Sequence, residues 1–347
     1  MRLLLVKMSS MGDLVHTFPA INDALQAHEE LEITWLVEEA FVDIARAYPG
    51  VKATIPICLR RFLRNPIAHW AEFFSAIKAL RNMQFDQVLD AQGLIKSAIV
   101  SRLTGCAIRN GLDSVSAREG LAAWFYTRRH SVPRKLHAVD RTRQLFAKAL
   151  AYTLPEGRAE FVLASTPGIQ KTMEPPYAVF LHGTSWQNKQ WPERYWKELA
   201  QKCAEGGYAL KFPSGSADEL ARSKRIAEGI ENSAFLDKVP LAELLKICAG
   251  ARFVVSVDTG LGHLTGALGV PVIGLYGPTD VKLTGIMGLK TSNLNAGFDC
   301  APCMQRKCTY WANKDSELVQ PACFTALTPE TVWREVQNYL EIDQTKC

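Results

Sequence analysis

The segment RLLLVKMSSMGDLVHTFPAINDALQ (residues 2–26) decides the fold. It opens with a continuous apolar run, which is typical of a strand buried in a parallel sheet. SSMGD then forms a short turn, and the remainder carries apolar residues at helical spacing. EITWLVEE (32–39) and FDQVLDAQG (85–93) have the pattern of further strands. This alternation of strand and helix predicts βαβ units and a doubly wound α/β sheet.

The second half of the chain repeats this pattern. YAVFLHGTS (177–185), FVVSVDTG (253–260) and VPVIGLYGP (270–278) each change from an apolar strand to a polar or glycine-rich loop. Between them, ERYWKELAQKCAEGG (193–207) and LAELLKICAGA (241–251) have helical spacing. In such sheets ligands bind beyond the carboxyl ends of the strands, and the polar motifs of this chain fall there.

A chain of 347 residues exceeds one hydrophobic core and predicts two domains. We expect a first Rossmann-like domain at 1–164, a linker at 165–176 rich in Ser, Thr, Pro and Gly, and a second Rossmann-like domain at 177–328. The final helix, 329–347, can return to the first domain. Two such domains would face each other across a cleft that holds the substrates.

Composition excludes several classes of protein. Hydrophobic residues make up 48% and charged residues 22%, the balance of a globular protein, and no apolar run reaches the length of a membrane span. The N-terminal apolar run contains Lys7 and lacks a small-residue cleavage site, so a strand is expected and not a signal peptide. Nine cysteines without an export signal indicate a reducing compartment.

The net charge of +5 is unevenly distributed along the chain. Residues 51–150 carry 17 Lys and Arg against 6 Asp and Glu, which indicates either an anionic partner or a well-solvated basic face. Within this region, 58–64 and the following Trp70, Phe73 and Phe74 interleave basic and aromatic residues. Such a mixture suits an anionic membrane surface, an acylated acidic substrate or nucleic acid, or simply a helix that buries its aromatic side.

Three motifs carry candidate chemistry. Asp13 follows the first strand at a helix start, where it can cap the helix or take a proton from an attacking hydroxyl. His182-Gly183-Thr184-Ser185 with Lys189 suits a diphosphate, or is a surface loop with a solvated lysine.

The third motif is Ser256-Val257-Asp258-Thr259-Gly260-Leu261-Gly262-His263, in which a buried strand meets a glycine-rich helix start, a ready anion site. Its glycine spacing misses the dinucleotide fingerprint by one residue, and no Walker A sequence occurs. The tetrapeptide 276–279, YGPT, is most simply a β-turn.

Four cysteines cluster late in the sequence. Cys300, Cys303, Cys308 and Cys323 have a spacing compatible with a structural four-thiolate zinc site. Free or reversibly oxidised thiols are the competing interpretation, since the domain around them has a core large enough to fold without a metal.

Five segments together resemble the ADP-heptose–lipopolysaccharide heptosyltransferases, a family of inverting glycosyltransferases. They are MRLLLVKMSSMGDLVHTFPA (1–20), DAQGLIKSA (90–98), HAVDRTRQLFAK (137–148), FVVSVDTGLGHLTGALG (253–269) and YGPTD (276–280). The resemblance implies a GT-B fold, with the acceptor in the first domain and the nucleotide sugar in the second. It implies transfer of L-glycero-D-manno-heptose from its ADP derivative to the first Kdo of Kdo2-lipid A. No cofactor is required, and a divalent metal is not demanded.

The resemblance also implies roles for individual residues. It assigns base catalysis to Asp13 and the ribose of the donor to Glu219. The residues implied for the donor's phosphates and sugar are Thr184, Ser185, Lys189, Asp258, Thr259, Gly260 and His263; Ser185 stands where a threonine is familiar and keeps the hydroxyl. The basic residues expected to face the anionic acceptor are Lys7, Arg60, Arg61, Lys96 and Arg118.

A lipid acceptor implies peripheral attachment to the cytosolic face of the inner membrane, and we expect a monomer that does not bind nucleic acid. Three alternatives stay open at this point. A related heptosyltransferase could use a different inner-core acceptor, and a non-catalytic protein could bind the nucleotide sugar. The cysteines and the basic half could instead belong to a zinc-dependent nucleic-acid protein.

Overall fold

The structure, a computed structural model, describes residues 1–157, 159–161, 175–310 and 319–344, with side chains described up to 341. The chain separates into two compact units, residues 1–164 and 165–347. Most of the predicted linker lies outside the described residues. Within the described ranges, no helix is long and apolar enough to cross a membrane.

The first unit is built on a six-stranded parallel sheet in the order β3-β2-β1-β4-β5-β6. Its central strand β1 is almost entirely buried because helices cover both faces of such a sheet. The strands are β1 Arg2–Val6, β2 Glu32–Glu38, β3 Ala53–Ile57, β4 Gln87–Asp90, β5 Arg109–Leu112 and β6 Arg128–His130.

The helices of this unit follow the strands in turn, and α2 packs against α7. They are α1 Met11–Val15, α2 Phe18–Ala27, α3 Val42–Arg46, α4 Leu59–Arg64, α5 Pro66–Asn82, α6 Ile95–Leu103 and α7 Ala138–Leu150, with 3₁₀ turns at Glu39–Phe41 and Gly120–Phe125. A buried ion pair between Arg143 and Asp23, 2.6 Å apart, joins α7 to α2.

The second unit repeats the architecture with a parallel sheet in the order β12-β11-β10-β7-β8-β9. Its strands are β7 Tyr177–Leu181, β8 Ala209–Ser214, β9 Ser233–Asp237, β10 Phe253–Val257, β11 Val272–Tyr276 and β12 Thr291–Asn295. The core on one face includes the fully buried rings of Trp191, Trp196 and Phe180.

The helices of the second unit alternate with these strands as the sequence predicts. They are α8 Glu193–Glu205, α9 Ala217–Ile226, α10 Leu241–Ala249, α11 Gly260–Ala267, α12 Val281–Thr284 and α13 Pro329–Gln344, with 3₁₀ turns at Gln187–Lys189 and Ala322–Ala326. The last helix, α13, packs against α8, and its Glu330 pairs with Lys202 at 2.7 Å. These contacts belong to the second unit; a return of the helix to the first domain stays a prediction.

In both parallel sheets the strand order reverses beside the first strand. The chain builds outward from β1 through β2 to β3 and then crosses to β4, and it repeats this course from β7. The prediction of two doubly wound Rossmann-like units is therefore confirmed. In such sheets the crevice at the carboxyl ends, where the strand order reverses, is the preferred place for a ligand.

Candidate functional site

Asp13 lies beyond the carboxyl end of β1, in the first turn of α1. Its Oδ2 accepts hydrogen bonds from the backbone N–H of Ser10 at 2.9 Å and from the Ser10 hydroxyl at 2.8 Å. Among the described residues, no hydrogen bond reaches Oδ1. One oxygen of this half-buried carboxylate therefore holds the helix start, while the other is available to a hydroxyl, so capping and base catalysis are compatible.

The charges around Asp13 keep its carboxylate ionised. Burial alone would raise the pKa of Asp13, but nearby Lys7, the two hydrogen bonds from Ser10 and the charge of Arg118 together lower it. An ionised carboxylate at neutral pH is what a general base requires.

Lys7 is buried directly behind this carboxylate. Its Nζ donates to the carbonyl oxygen of Ala91 at 2.8 Å, and burial lowers the pKa of Lys7 against the opposing charges of Asp13 and Asp90. Asp90 is fully buried and accepts a 2.7 Å hydrogen bond from the hydroxyl of Tyr126. Lys7 was expected to face the acceptor. In the structure it is buried, and its charge acts on Asp13.

The other basic residues predicted for the acceptor differ in what surrounds them. Arg61 makes bidentate hydrogen bonds of 3.0 and 2.7 Å to Glu39 and another of 2.7 Å to Glu72, so its charge is largely balanced. Arg60 is exposed, and its guanidinium lies over the ring of Phe41 at 5.3 Å.

Lys96 is half-buried, and Arg118 is exposed near Asp13. All four of these basic residues lie on segments that follow carboxyl ends of the first sheet.

Sequence reasoning missed Arg141, the fourth residue of α7. Its Nε is buried without a hydrogen-bond partner among the described residues, and its charge acts on both Asp13 and Lys7. It lies within HAVDRTRQLFAK, a segment that carried the family resemblance. Arg141 thus adds a positive charge to the edge of the sheet that holds Asp13.

The second unit brings Lys189, Asp258 and His263 together at the carboxyl end of β10. Lys189 Nζ lies 2.7 Å from Asp258 Oδ2, and His263 Nε2 lies 3.5 Å from Asp258 Oδ1. Burial would raise the pKa of Asp258, but the hydrogen bond from His263 and the charge of Lys189 hold it far below its usual range. Asp258 is therefore ionised, and its carboxylate orients the ammonium group of Lys189.

Thr184 and the start of α11 complete this end of the sheet. The hydroxyl of Thr184 donates to the carbonyl oxygen of Asp258 at 3.4 Å, which ties the loop after β7 to the loop after β10. Thr259 precedes α11, and Gly260 is its first residue, so backbone N–H groups of the first turn are available to an anion. Ser185 is exposed in the same loop as Thr184.

Glu219 lies beside the loop that follows β7, although it comes from α9. It accepts a hydrogen bond from the N–H of Gly215 at 2.7 Å. A Cβ atom placed on Gly183 would lie 2.5 Å from Glu219 Oε1. Glycine at 183 therefore allows this carboxylate to approach the loop that carries Thr184.

Two further polar residues of this unit differ from the simplest sequence interpretation. Thr279, in the tetrapeptide interpreted as a β-turn, is buried, and its hydroxyl has no hydrogen-bond partner among the described residues. No sequence signal distinguished it from an ordinary turn residue. His182 bonds Ser223 at 2.8 Å, and burial lowers its pKa to about 3, so it is a neutral structural histidine.

The four clustered cysteines are free thiols. Cys323 is buried, and burial together with the neighbouring thiols of Cys300, Cys308 and Cys303 raises its pKa to about 12. In the part of the chain that the structure describes, no three Cys, His, Asp or Glu side chains are arranged to hold a metal ion. The role of these four thiols, as a structural metal site or as free or reversibly oxidised cysteines, stays a prediction.

The family of the chain follows from its matches to known proteins. Residues 73–312 match the model described as glycosyltransferase family 9 (heptosyltransferase). A Pseudomonas aeruginosa protein named lipopolysaccharide heptosyltransferase 1 is 43% identical over 99% of each chain. The chain therefore belongs to glycosyltransferase family 9, the heptosyltransferases. The predictions of a glycosyltransferase and of this family are confirmed.

Solved structures agree with this assignment. The Escherichia coli heptosyltransferase WaaC with ADP has a TM-score of 0.82 at 37% identity, over 98% of this chain and 100% of the other. The same enzyme with ADP-2-deoxy-2-fluoro heptose has a TM-score of 0.79 at 37% identity, covering 97% and 99%. The predicted GT-B fold class is confirmed, and the alternatives of a non-catalytic binder and a nucleic-acid protein are set aside.

Proposed function

We propose that this enzyme transfers L-glycero-D-manno-heptose, with inversion, from ADP-heptose to the first Kdo of Kdo2-lipid A in lipopolysaccharide inner-core synthesis. The main support for the proposal is the structural similarity, at 37% identity over 98% of the chain, to the heptosyltransferase WaaC, whose structure was solved with ADP. The same likeness extends to its complex with a fluorinated ADP-heptose. The near full-length relative named lipopolysaccharide heptosyltransferase 1 supports the same activity.

In this proposal the second unit binds the donor. Lys189 and the N–H groups at Thr259 and Gly260 neutralise the diphosphate, and the hydroxyls of Thr184 and Ser185 donate to its oxygens. A diphosphate that leaves as ADP needs this positive charge and these donors rather than a general acid. The enzyme therefore needs no divalent metal, and transfer should persist in the presence of a chelator.

Three further residues take the sugars of the donor. Asp258 accepts from heptose hydroxyls while Lys189 balances its charge, and His263 orients Asp258. Glu219 accepts from the ribose hydroxyls, and the close approach at Gly183 supports its placement beside the phosphate loop. A carboxylate is suited to two neighbouring hydroxyls because it offers two acceptor oxygens.

Asp13 is the general base of the proposed reaction. Inversion needs one base that takes the proton from the acceptor hydroxyl as that oxygen attacks the anomeric carbon. Its available Oδ1 and a pKa held low by Lys7, Ser10 and Arg118, against the effect of burial, support this role.

The acceptor is held by the basic edge of the first sheet. Arg60, Lys96 and Arg118 attract the carboxylates and phosphates of Kdo2-lipid A. Arg61 contributes less because Glu39 and Glu72 balance its charge, and buried Lys7 acts chiefly by keeping Asp13 charged. Because this acceptor is a membrane lipid, we place the enzyme as a monomer on the cytosolic face of the inner membrane, without nucleic acid as a partner.

A product assay with defined acceptors tests the proposal. Purified enzyme is incubated with ADP-heptose and either Kdo2-lipid A or a Kdo acceptor that already carries one heptose. The masses of the products are measured by mass spectrometry. Addition of one heptose to Kdo2-lipid A is expected. Transfer only to the heptosylated acceptor would assign the enzyme to a later inner-core step and overturn the acceptor named here.

A further inference from the structure

Helix α5 has a wide apolar side, of which only part packs against the protein. Phe73, Ile77 and Leu80 are buried against the sheet of the first unit. Beside this buried strip, Ile67 and Trp70 are 93% and 57% exposed. A helix of a globular protein normally presents polar residues to water there, so the exposed face needs an explanation.

Further exposed apolar side chains lie at the end of α4 and in the next turns of α5. We name Leu63, Ile67, Trp70 and Phe74 the apolar ridge; Leu63 is 56% exposed and Phe74 36%. The ring centroids of Trp70 and Phe74 lie 4.2 Å apart, and that of Phe62 lies 6.2 Å from each. These ring contacts hold the two aromatic members of the ridge in place.

The segment that carries the ridge is predominantly basic. Residues 59–82 contain five Lys and Arg and a single acidic residue, Glu72. Glu72 is paired with Arg61, 2.7 Å away. Arg64, next to Leu63, and Lys78, one turn after Phe74, are exposed, and no carboxylate of the described residues pairs with them. An apolar strip between such basic side chains is complementary to lipid chains beneath anionic headgroups.

The ridge also lies at the functional edge of the first sheet. The hairpin of α4 and α5 follows the carboxyl end of β3, and the N–H of Arg60 donates to Glu38 at 2.9 Å. The N–H of Glu38 in turn donates to the carbonyl oxygen of Met8, five residues before Asp13, at 3.1 Å. Two hydrogen bonds therefore link the start of the hairpin to the segment that leads to the proposed base.

We propose that the apolar ridge inserts into an anionic lipid bilayer and that Arg64 and Lys78 bind its headgroups. The ridge thereby holds the carboxyl edge of the first sheet, with Asp13, at the membrane surface where a lipid acceptor presents its sugars. This inference rests on the proposed function, because the benefit of such docking depends on a membrane-embedded acceptor.

Vesicle binding by the full-length chain tests the proposal. Sedimentation with large vesicles of phosphatidylcholine, alone or mixed with phosphatidylglycerol, compares the parent enzyme with Ile67→Ser/Trp70→Ser. We expect the parent to bind the anionic vesicles and the double variant to partition at least ~10-fold more weakly, because two inserting apolar side chains are removed. Arg64→Glu/Lys78→Glu should weaken binding to the vesicles that contain phosphatidylglycerol and not binding to vesicles of pure phosphatidylcholine.

A matched control and a soluble acceptor make the result specific. Leu289 is 82% exposed on the second unit, between Trp70 and Ile67 in exposure, so Leu289→Ser removes a comparable apolar side chain and should leave vesicle binding unchanged. With a Kdo disaccharide that lacks acyl chains, Ile67→Ser/Trp70→Ser should turn over like the parent. Equal thermal unfolding temperatures would verify that all variants are folded.

Three outcomes would overturn the docking surface. They are absence of parent binding to anionic vesicles, unaltered binding of the double variant, or a dimer of the parent that Ile67→Ser dissociates, since a dimer would mean that a second copy covers the ridge. Failure of the parent to transfer heptose to the soluble acceptor would count against the proposed function, whereas the vesicle results would still decide the docking surface.

Discussion

Lys189 and Asp258 form an ion pair of 2.7 Å in the second unit, with side chains only 15% and 8% exposed. The two residues are 69 positions apart in the sequence and follow different strands. Burial would raise the pKa of Asp258, and the charge of Lys189, after the hydrogen bond from His263, helps to hold it low. The proposed phosphate ligand and the proposed sugar ligand are therefore one electrostatic unit.

Loss of Lys189 should weaken donor binding by more than one contact. Lys189→Ala leaves the Asp258 carboxylate without its nearest cation, and we expect ADP affinity to fall by roughly 30-fold or more, since truncation of one partner of such a pair costs about 2–5 kcal/mol. Isothermal titration calorimetry with ADP measures the effect. Lys189→Ala/Asp258→Asn should bind ADP better than Lys189→Ala alone, and Lys197→Ala, at an exposed surface pair, should bind normally. Equal affinities of the single and double variants would contradict the coupling.

Asp13→Asn should abolish most turnover and spare donor binding. The amide keeps the size of the side chain but cannot accept a proton, and a positioned base contributes about 10²- to 10⁴-fold to rate. Steady-state kinetics would give kcat, and calorimetry would give the ADP affinity. Asp43→Asn, at an exposed position of α3, is the control. An Asp13→Asn enzyme with at least half the parent activity would remove Asp13 as the base.

Lys7→Met should move the acid limb of the pH–activity profile. Lys7 is the foremost cause that lowers the pKa of Asp13 against the effect of burial, so its loss should raise that pKa. The base works only when deprotonated; a raised pKa therefore shifts the loss of kcat/KM on acidification to a higher pH. Profiles of kcat/KM against pH for the parent and Lys7→Met measure the shift. Lys52→Met, which removes an exposed lysine paired with Glu32, should leave the limb in place.

If Lys7→Met lowered activity equally at every pH, the lysine would have another role. A contact with the acceptor, for example, would raise the KM for the acceptor without displacing the limb. The profile therefore separates an electrostatic effect on Asp13 from direct binding.

Gly183→Ala should weaken donor binding through Glu219. The added methyl group would lie 2.5 Å from Glu219 Oε1 and must displace the carboxylate proposed to hold the ribose. We expect a roughly tenfold higher KM for ADP-heptose, which corresponds to the loss of about one charged hydrogen bond. Gly297→Ala, where an added Cβ meets no atom within 4 Å, is the matched control. Glu219→Gln should raise the KM for ADP-heptose in the same way. A normal KM in Gly183→Ala would show that Glu219 does not bind the donor.

Elements with a strong local pattern were predictable from the sequence. The buried strands β1 and β10 each appear as a continuous apolar run, and α8 and α13 begin at the residues where the helical spacing begins. The turn interpretation of Thr279 did not foresee a buried hydroxyl without a partner, because a hydrogen-bond deficit depends on every atom packed around it. The role of Arg141 was not predicted for a similar reason. Nothing in the sequence of α7 alone indicates that this residue interacts electrostatically with Asp13.

The sequence by itself determined the two α/β units, the family and the set of polar residues at strand ends, because periodicity and motif spacing are properties of neighbouring residues. Only the tertiary structure decided that Lys7 is buried behind Asp13, that Lys189 is paired with Asp258, and that α5 leaves an apolar face in water. Charge pairing and burial depend on segments that are distant along the chain and become neighbours only when the sheets form, so no local pattern specifies them.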